Sequence, residues 1–223
     1  KATALGALYA LQSLIAKGGI KADASVAIQG FGNAGLHFAE LAEAAGLKIV
    51  AASDSKGGIY NPSGLDVTAL VAHKAANGSV MGFADATAIT NDELLELPID
   101  VLVPAALNDA ISENNCERVK APVILEIANG PISLPASQKL AARGTVIIPD
   151  VLANAGGVAV SYFEWKQNMD NEKWELESVN SRLKEKMTAA FDAIWKYKED
   201  YSLDLRTAAY VLAVKRLLEA IQK

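Results

Sequence analysis

Three glycines, Gly30, Gly32 and Gly35, stand in the spacing Gly-x-Gly-x-x-Gly. They follow the apolar run Ser25–Gln29 and open a helix-compatible stretch that reaches Gly46. The chemistry this spacing serves is the holding of a dinucleotide. Gly30 makes the tight turn out of a strand, Gly32 lets backbone N–H groups approach a pyrophosphate, and Gly35 lets the helix lie close on the sheet. The helix start adds unpaired N–H groups and the positive end of a dipole. A second apolar run, Leu47–Ser53, ends on Asp54. An acid about 20 residues beyond the glycines is placed to accept hydrogen bonds from ribose hydroxyls. The spacing alone would suit an ordinary flexible loop. Strand, helix, second strand and terminal acid together predict a βαβ unit.

A second group of interest is Asn154-Ala-Gly-Gly157. Two glycines at a helix start each cost about 1 kcal/mol against alanine, so a close backbone approach is expected there. The helix that follows would set Val158 and Ser161 on one face. A serine hydroxyl beside a cleft can select a polar substrate, or it can bond back to its own helix. His37 and His73 have no Cys or Asp at metal-ligand spacing and read as structural or surface residues. Cys116 has neither a second thiol nor an evident His–acid pair, which argues against a nucleophile. The run Lys196–Asp200 reads as a solvated helix end, and Trp165, Trp174 and Trp195 as core or interface.

The elements that must position these groups can be read in order. A helix is predicted over 3–17, with Leu5, Leu8, Leu11, Leu14 and Ile15 near helical spacing and Thr3 as its N-cap. Strand 25–29, helix 33–45 and strand 47–52 follow. Ser55–Gly64 is turn-rich and broken at Asn61-Pro62. A helix over 66–76 and a capping box at Thr90–Glu93 come next. Strands over 100–103, 123–127 and 145–148 then each end in a turn-forming cluster: Pro104-Ala-Ala, Ala128-Asn-Gly-Pro131 and Pro149-Asp150, with a helix over 135–142 before the last. In an open parallel sheet such ends share the edge outside which ligands bind. From Ala155 onward the pattern is helical only. Leu176, Val179, Leu183, Met187, Ala190, Phe191 and Ile194 form one stripe, and Tyr210, Val211, Val214, Leu218 and Ile221 a second. The fold class expected is α/β: a Rossmann-like doubly wound, mostly parallel sheet with flanking helices.

With 223 residues, 51% of them hydrophobic, the chain can bury a core as one domain. A net charge of −5 without a basic stripe argues against nucleic acid as a partner. No apolar run reaches the roughly 18 residues a membrane span needs. The single cysteine excludes an internal disulfide and suits a reducing cytoplasm, and no secretory pattern opens the chain. The chain begins at Lys1 rather than Met and enters a helix at once, which reads as a piece of something longer.

Gln29-Gly-Phe-Gly-Asn-Ala-Gly35, Ser53-Asp-Ser-Lys-Gly-Gly-Ile-Tyr60, Pro104-Ala-Ala-Leu107, Ala128-Asn-Gly-Pro131, Ile148–Gly157 and Arg206-Thr-Ala-Ala-Tyr210 are similar, in order, to motifs of one family. The chain resembles the C-terminal, cofactor-binding half of the glutamate/leucine/phenylalanine/valine dehydrogenases, and among them the glutamate enzymes. The resemblance implies one NAD(P)-binding domain over 1–223, with a Rossmann core at about 20–150 and flanking helices 3–17 and 155–222. It also implies an N-terminal domain, absent from this chain, that carries the proton-transferring residues. None is therefore assigned here. The implied reaction is oxidative deamination of L-glutamate to 2-oxoglutarate and ammonia with NAD or NADP, by a cytoplasmic homo-oligomer.

By the same resemblance Gly30, Phe31, Gly32, Asn33 and Ala34 bracket the pyrophosphate, with Gly35 beside them and Asp54 at the adenosine ribose. Asp54 would repel a 2′-phosphate, whereas Ser53, Ser55 and Lys56 could bind one, which leaves NAD and NADP both open. Ala105, Asn129 and Asn154 would line the nicotinamide side, and Thr3 would meet the carboxamide end. Val158 and Ser161 would shape the side-chain pocket, the hydroxyl favouring a glutamate carboxylate. The sequence departs from the family pattern at two places. Ala4-Leu5 stands where Gly-Arg is usual, and Ile127 stands where a small residue is usual and would crowd the nicotinamide side. Two other readings remain at this point: a dehydrogenase for leucine, valine or phenylalanine, which the identity and exposure of Ser161 would discriminate, and a nucleotide-binding module without catalysis.

Overall fold

The computed structural model describes residues 1–222. In chain order the elements are α1 (Ala2–Ala16), β1 (Ser25–Gln29), α2 (Asn33–Ala44), β2 (Lys48–Asp54), β3 (Gly57–Tyr60), α3 (Val67–Asn77), β4 (Thr87–Ile89), α4 (Asn91–Leu95), β5 (Val101–Pro104), β6 (Val123–Leu125), α5 (Leu134–Ala142), β7 (Val146–Ile148), α6 (Asp150–Ala153), α7 (Gly156–Asp170), α8 (Leu176–Tyr201) and α9 (Leu205–Ile221). The strands form one sheet in the order β4-β3-β2-β1-β5-β6-β7. β2, β1, β5, β6 and β7 run parallel. β3 is antiparallel to β2, and β4 is antiparallel to β3. The chain leaves β1 toward β2 and returns on its other side as β5, so the winding reverses between β1 and β5.

Apolar alternation builds two cores, one on each face. Val26 and Ile28 of β1, Val101 and Val103 of β5, and Val123 and Leu125 of β6 enter the core that also holds α1, α2 and α8. Their alternates Ala27, Leu102 and Ile124 enter the opposite one with Leu94, Ala136 and Leu140. Strands buried on both faces read as continuous apolar runs, as these do. At the far end from the cleft, Ser25 and Asp100 lock β1 to β5. The Ser25 N–H and hydroxyl both donate to Asp100 Oδ2, at 2.7 and 2.6 Å, and the Asp100 N–H donates to Ser25 Oγ at 3.0 Å.

Several expectations need correction. Ser55–Gly64 is not all turn. Asp54 pairs with Gly57 across a two-residue hairpin, and β3 and β4 extend the sheet antiparallel. Gly57 and Gly58 carry little strand propensity, so cross-strand pairing rather than local preference makes this strand. Thr3 does not cap α1. Lys1 occupies the N-cap position, and Thr3 lies in the first turn. Leu176 is 73% exposed rather than inward-facing. Tyr210, Val211, Val214, Leu218 and Ile221 are between 40% and 80% exposed. α9 instead buries Leu205, Ala208, Ala209 and Leu212, all within its first two turns, where it packs with α8 and β7.

The two glycines at the start of α7 have a packing cause. A Cβ on Gly156 would lie within 2.3 Å of the Ala2 carbonyl oxygen and 3.0 Å of Gly6 Cα. A Cβ on Gly6 would come within 2.8 Å of Gly156 Cα. α1 and α7 therefore cross backbone against backbone, which only glycine at both positions permits. Gly156→Ala should force the helices apart and cost about 2 kcal/mol or more in urea unfolding. Gly32→Ala, where a Cβ meets nothing within 4 Å, should stay within about 1 kcal/mol of the parent. Equal costs at the two positions would contradict this account of the crossing.

Candidate functional site

The turn between β1 and α2 sits where the sheet reverses its winding. Gly30 has φ +97°, and a Cβ there would strike Ala106 in the loop after β5 at 2.6 Å. The Gly30 and Phe31 amides both donate to the Ser53 carbonyl, at 3.1 and 2.6 Å. Phe31 itself is fully buried. It anchors the turn and presents no side chain to the cleft. α2 then begins at Asn33 with Gly32 as an N-cap that has no side chain. Among the described residues none accepts a hydrogen bond from the amides of Gly32, Asn33, Ala34 or Gly35. Four free donors at a helix start are what an anion would complete.

Asp54 ends β2 on the other side of this turn. Its carboxylate accepts from Lys74 Nζ (2.7 Å), Val80 N (2.8 Å), Lys56 N (2.9 Å) and Ser79 Oγ (3.1 Å). Burial would raise its pKa, but the Lys74 bond and the other three outweigh burial and hold it at about 2. Asp54 is thus ionised, nearly buried and charge-balanced by Lys74. Ser55 and Lys56 flank it on an exposed shelf, a shallow pocket that also includes Asn91 and Glu93.

Across the reversal point, the loops after β5, β6 and β7 and the starts of α1 and α7 enclose an open cleft of about 810 Å³. Thr3, Asn129, Asn154, Val158 and Ser161 all line it. Asn154 Nδ2 donates to Asn129 Oδ1 at 2.7 Å and to the Ile127 carbonyl at 3.2 Å, so the two asparagines form one unit. Ala105 donates its amide to the Gln29 carbonyl at 2.8 Å and ties the β5 loop to the end of β1. Ile127 is 4% exposed. It forms part of the cleft wall while most of its side chain belongs to the core. Thr3 faces the start of α7, where a Cβ on Gly157 would stand 2.8 Å from its Oγ1. The Ser13 hydroxyl bonds back to its own helix at Tyr9. Among the described residues the Ser161 hydroxyl has no such partner, and it faces the cleft.

Sequence reasoning passed over Asn108, which lines the cleft beside Ala106 of the Pro104-Ala-Ala cluster, and one buried ion pair. Glu126, fully buried after β6, meets Arg206 from the first turn of α9. Burial pushes the Glu126 carboxyl up, while the Arg206 guanidinium and the Asp150 amide act against it. A lone acid closing the apolar run from Val123 was the available signal. His37 bonds Glu40, His73 bonds the Met81 carbonyl, and Cys116 is buried; none reaches the cleft.

A parallel sheet that reverses at β1 and β5, with its glycine turn and cleft on that edge, places the chain in the class of doubly wound α/β domains of Rossmann type. The model of the Glutamate/Leucine/Phenylalanine/Valine dehydrogenase family matches residues 1–223, and the chain belongs to that family. It is 50% identical over 201 residues to a glutamate dehydrogenase of Thermotoga maritima, covering 90% of this chain and 48% of that protein. An NADP-specific glutamate dehydrogenase of Synechocystis sp. and an NAD-specific one of Staphylococcus aureus are each 43% identical, over 99% of this chain and 54% and 53% of theirs. The hetero-hexameric glutamate dehydrogenase of Thermus thermophilus superposes with a TM-score of 0.92 at 34% identity, over 98% of this chain and 52% of that one. The chain spans about half the length of these relatives.

The Asp54 cluster makes a prediction about pH. A carboxyl whose pKa falls from 3.8 unfolded to about 2 folded stabilises the fold above pH 4 by about 2 kcal/mol. That contribution disappears as pH falls from about 4 toward 2. Urea unfolding of the parent and Asp54→Asn should therefore differ by a margin that shrinks over this window. A margin that stays constant with pH would show that Asp54 is not held ionised by these partners.

Proposed function

We propose that this chain is the cofactor-binding half of an NAD(P)-dependent glutamate dehydrogenase, a cytoplasmic homo-oligomer when intact. One observation carries the proposal. Gly32 has open space where a Cβ would stand, and among the described residues neither its amide nor the next three has an acceptor. In this reading Gly32, Asn33, Ala34 and Gly35 hold the pyrophosphate on the end of α2, with Gly30 and Phe31 fixing the turn beneath it. Asp54 and Ser55 stand at the adenosine end. Because Lys74 balances Asp54, this end does not present a bare negative charge to a 2′-phosphate, which accords with relatives named for either cofactor. Thr3, Ala105, Asn129 and Asn154 flank the nicotinamide end.

When bound, the cofactor would supply a hydride acceptor for Cα of the amino acid. The chain's own residues orient rather than transfer protons. Among the described residues that line the cleft, none carries an ionisable side chain. The acid–base groups are accordingly assigned to the part of the protein this chain does not span, packed across the cleft and against α1 and α7 to α9. Val158 and Ser161 shape the side-chain pocket, with the free hydroxyl of Ser161 donating to the substrate γ-carboxylate.

The test is Ser161→Val in the full-length protein. Loss of a hydrogen bond to a charged group costs about 1.5–3 kcal/mol, or roughly one to two decades in kcat/KM for glutamate. Norvaline, which has no γ-carboxylate, should lose little, and cofactor KM should stay constant. An unchanged glutamate-to-norvaline ratio would remove Ser161 from the pocket and leave the substrate unassigned.

A further inference from the structure

Arg206 reaches inward from the first turn of α9, and its side chain is 13% exposed. Nη2 donates to Glu126 Oε1 at 2.5 Å, Nε to Ser137 Oγ at 3.1 Å, and Nη1 approaches Asp150 Oδ1 at 3.5 Å. The other Glu126 oxygen accepts from the Asp150 amide at 2.8 Å. The other Asp150 oxygen accepts from the Gly130 amide at 2.8 Å. Gly130 follows Asn129 in the chain, and α6, which begins at Asp150, has Asn154 as its C-cap. Both asparagines of the cleft are therefore held from Asp150, one through the Gly130 amide and one through a single turn of helix.

We propose that Arg206 is a positioning residue for the Asn129–Asn154 pair, acting through Asp150. A buried ion pair is poor at adding stability, because an apolar pair of the same volume does as well or better. What Arg206 adds is direction. Its planar fork holds Glu126, Ser137 and Asp150 in fixed relation, which a lysine ammonium cannot do. The proposal deepens the dehydrogenase reading and rests on it for the effect on turnover.

Its test uses the full-length protein with Arg206→Lys, Asp150→Ala and the double variant. Lysine keeps a charge beside Glu126, and Asp150→Ala leaves the Glu126–Arg206 pair intact should the lysine variant fold poorly. Backbone hydrogen exchange across 128–131 should rise roughly tenfold in each single variant. Turnover should fall about tenfold, while cofactor KM rises by less than that, because the pyrophosphate turn is untouched and only the nicotinamide end loses its fixed partners. The double variant should be no worse than Asp150→Ala alone, since both lesions cut one connection. Unchanged exchange across 128–131 in Asp150→Ala would overturn the proposal whether or not the protein is a dehydrogenase. Losses that multiply in the double variant, or full kcat in a variant whose 128–131 segment exchanges faster, would overturn it as well. If the parent lacks dehydrogenase activity while exchange responds as expected, the reading of the enzyme fails and the connection from Arg206 to the loop stands.

Discussion

A missing Cβ at Gly35 governs the geometry of the molecule. A methyl group there would lie 2.1 Å from the Gly30 carbonyl oxygen, closer than any contact can be. Only a glycine lets the first turn of α2 sit directly on the end of β1. That contact aims the free amides of Gly32 to Gly35 at the edge where the sheet reverses, and Gly30 meets Ala106 across the same point. The second close approach, between α1 and α7 at Gly6 and Gly156, brings Thr3, Val158 and Ser161 to that edge from the other direction. Two backbone contacts thus join the glycine turn and the cleft into one surface.

The cleft and its support divide the electrostatic work. The residues that line the cleft are neutral, and Asn154 joins two of them through bonds between neutral amides, to Asn129 Oδ1 and to the Ile127 carbonyl. Charge lies at its margins. Asp54 is balanced by Lys74 at the end of β2, and Glu126 by Arg206 behind the asparagines. Neutral dipoles on a rigid frame can fix the orientation of a bound ring without changing protonation during a reaction.

How much of this was legible in the sequence follows from range of interaction. β1, α2 and the end of β2 announce themselves because period-2 and period-3.6 patterns are local and glycine marks the turn between them. The Thr90–Glu93 capping box is likewise local and is present as read. β3 could not be read, because Gly57-Gly58 has no strand preference and only pairing with Ser53 and Asp54 makes it a strand. The last helix misled for the converse reason. Its apolar residues are real, but the residues it buries all lie in its first two turns, so periodicity named a stripe that the described chain does not cover. The Arg206–Glu126 pair joins residues 80 positions apart, beyond any spacing rule. Asn154 and Ser161 were marked by a glycine pair and the helix face after it, and Asn129 by its turn cluster; family resemblance supplied their expected roles, and their convergence on one cleft needed the sheet.

The central claim is that the amides around Gly32 exist to hold a pyrophosphate. Calorimetric titration of this chain with NAD and NADP, beside Gly32→Val, measures it directly. The account predicts binding with a Kd of about 1 mM or tighter, some −4 kcal/mol, and its loss in Gly32→Val with the unfolding midpoint preserved. No heat at millimolar cofactor, or a Gly32→Val variant that binds like the parent, would contradict it.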